Sequence, residues 1–97
     1  MDTYVILRRG GWADADELQA AAERSREEGD KTPEDIAWIR SYVLAERDGS
    51  VGTVCIYQAS SPEAIRAHAA KADLPVDEII SVAGTVIVRP DPEPAVA

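Results

Sequence analysis

The chain has 97 residues, 18 acidic side chains against 10 basic ones, a net charge of −8 and a single cysteine. That length makes one domain, with surface enough to bury a core but not a deep enclosed site. The acidic balance excludes a nucleic-acid partner, which needs lysine and arginine to displace phosphate counterions, and equally an anionic membrane surface. One cysteine leaves no internal disulfide and fits a reducing compartment. No apolar run approaches the roughly 18 residues of a spanning helix. Met1-Asp2-Thr3-Tyr4 leads straight into a strand pattern rather than a leader, so the expected location is the cytoplasm.

In chain order, Thr3 to Arg8 is a short β-rich run ended by Gly10-Gly11. Asp14, with Glu17 three residues on, predicts a helix start. Ala15, Leu18, Ala21, Ala22 and Ser25 then fall on one helical stripe, and Gly29 is the expected stop. The stripe holds one large residue, so this helix packs closely and buries little. Ile36 to Glu46 reads as a long strand, Asp48-Gly49 as a turn, and Val51 to Ala59 as the returning strand. Ser61-Pro62 predicts a second helix, because a hydroxyl cap precedes a proline whose missing N–H costs nothing at the first position. That helix runs to about Ala72, before Leu74-Pro75. Glu78 to Val88 is a last β-branched strand, and 89–97, with prolines at alternate positions, is expected to be a mobile tail after a single domain over 1–88.

The order β-α-β-β-α-β, with right-handed crossovers, predicts an α+β ferredoxin-like sandwich. Its four-stranded antiparallel sheet would have the order 4-1-3-2, with both helices on one face. The other face is then open, and a homodimer closing sheet on sheet is the expected partner. Period-two alternation puts Trp38, Arg40, Tyr42 and Leu44 together, in phase with Thr53, Cys55 and Tyr57. The small aliphatics Ile39, Val43, Val54 and Ile56 suit the helix side, which assigns the amphipathic set Trp38, Arg40, Tyr42, Cys55 and Tyr57 to the open face as ligand-pocket candidates.

His68, three residues after Ile65, sits near the buried edge of the second helix and is the candidate metal ligand or acid–base group. Its alternative is a helix histidine bonded within the protein. One cysteine and one histidine per chain cannot supply a tetrahedral zinc site. A six-coordinate ion with oxygen donors and few imidazoles, such as nickel, suits the composition better. Glu46 and Asp48 flank the hairpin turn as solvated carboxylates. Cys55 is a small hydrophobe in a strand unless a base reaches it.

The ordered pieces Trp38-Ile39-Arg40-Ser41-Tyr42-Val43, Cys55-Ile56-Tyr57-x-Ala59, Ser61-Pro62-Glu63-Ala64-Ile65-Arg66-x-His68-Ala69 and Leu74-Pro75-x-x-x-Ile79 resemble a family of small bacterial proteins. One member of that family is described as nickel-binding. The resemblance spans Thr3 to Val88. It implies a ferredoxin-like sandwich, a cytoplasmic dimer and nickel as the bound metal, with His68 as the position carried over. The chain departs from the family pattern in its acidic loop before Ile36, in Asp73 where glycine is common, and in its Pro-rich tail. The expected function is therefore nickel binding and sequestration by His68, carboxylates and a second subunit. The alternative is a dimeric enzyme or binder, a cofactor-free oxygenase, isomerase or cyclase, acting on an aromatic or polyketide-type molecule. His68 would then be the acid or base, beside Trp38, Tyr42, Cys55 and Tyr57.

Overall fold

The computed structural model describes residues 1–93. Its elements are β1 (Asp2–Trp12), α1 (Ala15–Asp30), β2 (Ile36–Ala45), β3 (Val51–Ala59), α2 (Pro62–Ala72) and β4 (Glu78–Ser81). The sheet order is β2-β3-β1-β4, the expected order read from the other edge, and every pairing is antiparallel. The α+β ferredoxin-like fold is thus the one the element order implies.

Both helix starts form as their caps dictate. Asp14 accepts from Glu17 N (2.9 Å), and Glu17 Oε2 accepts from Ala13 N (2.8 Å). Ser61 accepts from Ala64 N ahead of α2, with Pro62 at its first position. α1 passes through Gly29 instead of stopping there and ends at Lys31, where Thr32-Pro33 disfavours further helix. Arg24 of α1 donates from Nε to the carbonyl of Ala72 (2.9 Å), which ties the two helices and satisfies an orphan acceptor at the end of α2.

Two strands differ from expectation. β1 continues past Gly10-Gly11 to Trp12 through a register shift beyond Arg8. β4 stops at Ser81 rather than Val88 because its partner runs out: Ser81 pairs with Tyr4, Val82 N donates to Thr3 O, and β1 begins at Asp2. Val86, Ile87 and Val88 consequently lie outside the sheet, at 92%, 78% and 79% exposure. Of the tail expected over 89–97, residues 94–97 lie outside the described residues. Asp91 accepts from Arg40 Nη1 and Tyr42 OH, both at 2.7 Å.

The assignment of sheet faces is inverted for most of the candidate residues. The core consists of Tyr4, Ile6, Ile36, Cys55, Tyr57, Ala59 and Ile65, so Cys55 and Tyr57 lie under the helices. Trp38 opposite Tyr57, and Thr53 opposite Arg8, share that side. Volume is the physical reason. α1 presents the small Ala21, Ala22 and Ser25 to the sheet, and large sheet side chains take up part of the space those leave. A bulge supplies the rest, since Trp38 pairs with Tyr57 while Arg40 pairs with Ile56, leaving Ile39 without a partner. Beyond it the alternation is reversed. Ser41 and Val43 therefore face α1, and Arg40 and Tyr42 face outward with Val54 and Ile56.

Candidate functional site

His68 lies on α2 in phase with Ile65, Ala69 and Ala72, all buried, and is itself 5% exposed. Its Nε2 is 3.1 Å from Ser25 Oγ on α1, and Ser25 Oγ is 2.9 Å from Tyr57 OH on β3. Three elements therefore meet in one hydrogen-bonded line. If Nε2 carries the imidazole proton, it donates to Ser25, which donates to the phenol. In the other tautomer both donors reverse. His68 Nδ1 is buried without a partner.

Burial, and secondly the positive charge of Arg8, hold His68 below its ordinary pKa, with Glu28 opposing weakly. Burial raises the Tyr57 phenol, against the Ser25 hydrogen bond and Arg8. A neutral imidazole and a neutral phenol joined through one hydroxyl meet their hydrogen-bonding needs at these atoms without placing charge in the core.

Trp38 stacks on Tyr57 (centroids 6.1 Å apart, 18° between planes), and Tyr57 meets His68 at 5.9 Å. Cys55 donates from Sγ to Thr53 Oγ1 at 3.3 Å. Thus Trp38, Cys55, Tyr57 and His68 gather on the helix side, around a cavity of about 270 Å³ between α1 and the sheet and a second of about 210 Å³ beside His68. Arg40 and Tyr42 are on the opposite face with Asp91. There the hydrogen bond from Tyr42 and then the Arg40 guanidinium hold the Asp91 carboxyl below its usual range.

Two residues absent from the sequence-based candidates belong here. Arg8 is 1% exposed, lines the larger cavity and sits 6.0 Å above the Tyr57 ring. Its phase with Tyr4 and Ile6 on β1 is the signal that would have found it, since a cation on a strand's core face needs an explanation. Ser25 carried the equivalent signal as a polar residue within an alanine stripe.

Among the described residues, no group of three histidine, cysteine, aspartate or glutamate side chains is placed to hold a metal ion. No helix among them is long and apolar enough to cross a membrane.

Comparison with known proteins adds three findings. No curated protein matches the chain. The crystal structure of SCO4226 from Streptomyces coelicolor A3(2) superposes with a TM-score of 0.67 at 20% identity, over 87% of this chain and 99% of that one, which is a likeness of fold. The family model described as nickel responsive protein SCO4226-like matches residues 4–82. From the first core residue of β1 to just past the end of β4, the chain belongs to the SCO4226-like family of nickel responsive proteins.

Proposed function

We propose that this chain serves in its family's response to nickel as a small protein that binds and sequesters the ion between two copies of itself. The observation that carries the reading is the family match over residues 4–82. The residues of one chain do not fit a nickel centre around His68. Nδ1 is the free nitrogen, but it is buried, and among the described residues no second and third donor stand within reach of it. Nickel takes four to six nitrogen, oxygen or sulfur donors. A site in this protein therefore draws on exposed carboxylates from more than one chain, which 18 acidic residues make available.

Self-association has its own support. The open sheet face carries Val5, Leu7, Val54 and Ile56, with Ile80 40% exposed, and Val86 to Val88 are exposed without a sheet partner. Apolar area of this kind on a small acidic domain is what a second copy covers. Calorimetric titration of the full chain with nickel sulfate at neutral pH tests the metal reading. Saturable uptake that survives His68→Gln is expected, and no saturable heat below about millimolar nickel refutes it. Light scattering tests the dimer, and a stable monomer at micromolar concentration refutes that part.

A further inference from the structure

Among the described residues, Arg8 is the only charged side chain that is buried, and its guanidinium is not neutralised. Nε and Nη2 have no hydrogen-bond partner, and none of the ion pairs among the described residues involves it. The Tyr57 ring lies 6.0 Å from its Cζ, at the outer limit of a cation–π contact. Taking a guanidinium out of water costs several kcal/mol unless a counter-charge and hydrogen bonds compensate. The backbone that carries this side chain is closely confined. Arg8 pairs with Thr53 across β1 and β3, and Gly52 approaches so closely that an added Cβ would lie 2.5 Å from the Arg8 carbonyl oxygen.

Arg8 is among the residues lining a cavity whose walls suit a particular guest. The cavity of about 270 Å³ is just below the range of about 300–1,000 Å³ usual for small-molecule sites. Trp12, Trp38 and Tyr57 line it from the sheet, while α1 contributes Leu18 and Gln19 beside the small Ala21, Ala22 and Ser25. That is a slot for a flat, mostly apolar body. Its rim includes Trp38 and Val43, 39% and 60% exposed, so a path to solvent exists along β2.

We propose that this cavity binds a small carboxylic acid with a flat apolar body, its carboxylate paired with the forked N–H groups of Arg8 and its ring lying between the sheet aromatics and the alanines of α1. The planar guanidinium matches a carboxylate two bonds at a time. One cation balances one carboxylate, whereas a phosphate dianion would remain half unpaired in an otherwise apolar space. The site is independent of nickel, and it lies inside a single chain rather than between copies.

The test uses the full-length protein with benzoate, cinnamate and indole-3-acetate as probes, each beside its neutral primary amide, followed by calorimetry and by NMR shifts of the Trp12 and Trp38 indole N–H groups. At least one acid should bind at least about tenfold more tightly than its amide, the least that a charged hydrogen-bonded pair contributes. Arg8→Met should abolish that preference, weakening acid binding far more than amide binding. Ala22→Leu, which fills the slot and leaves Arg8 intact, should weaken both. If Arg8→Met does not fold, the acid–amide comparison on the unaltered protein still decides. Equal affinity for acid and amide overturns the proposal, as does the absence of saturable binding of any of the three acids up to about 1 mM.

Discussion

Ser25→Ala is the sharpest perturbation of the line that joins α1, β3 and α2. The hydroxyl is 4% exposed and serves two buried groups at once, Tyr57 OH at 2.9 Å and His68 Nε2 at 3.1 Å. Removing it creates almost no cavity but strips both of a partner. It leaves the imidazole with none, since Nδ1 already lacks one. A buried polar group without a partner costs about 1–3 kcal/mol, so with two such groups the variant should lose about 2–6 kcal/mol. Against a total stability of about 5–15 kcal/mol that is a large fraction. At about 4–8 °C per kcal/mol, the melting temperature should fall by at least about 8 °C. Urea unfolding followed by far-UV circular dichroism measures it, as a lower midpoint with an unchanged slope. Tyr57→Phe and the double variant complete a cycle. Once the phenol is gone, Ser25 has one partner fewer to lose, so the double variant should be more stable than the separate losses predict by about 0.5–3 kcal/mol. A Ser25→Ala protein within about 0.5 kcal/mol of the parent, the range of an ordinary surface change, refutes the reasoning.

Three further outcomes follow from the same geometry. Arg8→Met, measured without any added ligand, should be more stable than the parent by about 1–4 kcal/mol in urea, because an apolar side chain replaces an unneutralised buried charge; a loss of stability contradicts this. His68 is held below its unfolded pKa, so the unfolded chain binds more protons than the folded one between the two values. Its contribution to stability is complete above about pH 6.5 and is lost as pH falls through the folded pKa, no more steeply than about 1.4 kcal/mol per pH unit. Urea midpoints across that range should show this slope, and His68→Gln should flatten it. Asp73 caps α2 in the left-handed region at φ 55°, so Asp73→Gly should raise stability by about 0.5–1 kcal/mol in thermal unfolding; unchanged or lower stability counts against it.

Local signals account for what could be read before the structure. Ser61-Pro62 starts α2, Asp48-Gly49 turns the hairpin with Gly49 at φ 89°, and β3 occupies the expected residues, because caps and turns act within three or four positions. The faces of the sheet were not legible for the opposite reason. Whether Tyr57 or Ile56 points to the helices depends on how much volume α1 leaves empty, which no stretch of β3 records. The alanine stripe of α1 did carry that information, as a demand for bulk from elsewhere. Bringing His68, Tyr57 and Trp38 to one place needed the correct face, so the site could be seen only after the packing was known. The early end of β4 is likewise a fact about the length of β1 and not about Val86 to Val88, whose composition is as β-rich as any in the chain.

The unpaired Ile39 bears on how the gene can change length. In a regular strand, losing one codon turns every later side chain to the other side of the sheet. β2 already contains one residue too many, between Trp38 and Arg40. Deleting Ile39 would straighten the strand and leave Trp38, Ser41 and Val43 toward α1, with Arg40 and Tyr42 outward. An inserted residue farther along, at Leu44 for instance, has no such slack. Relatives of this chain that are one residue shorter at that point can keep the same inside and outside, and an alignment that spreads the gap elsewhere would mistake one for the other.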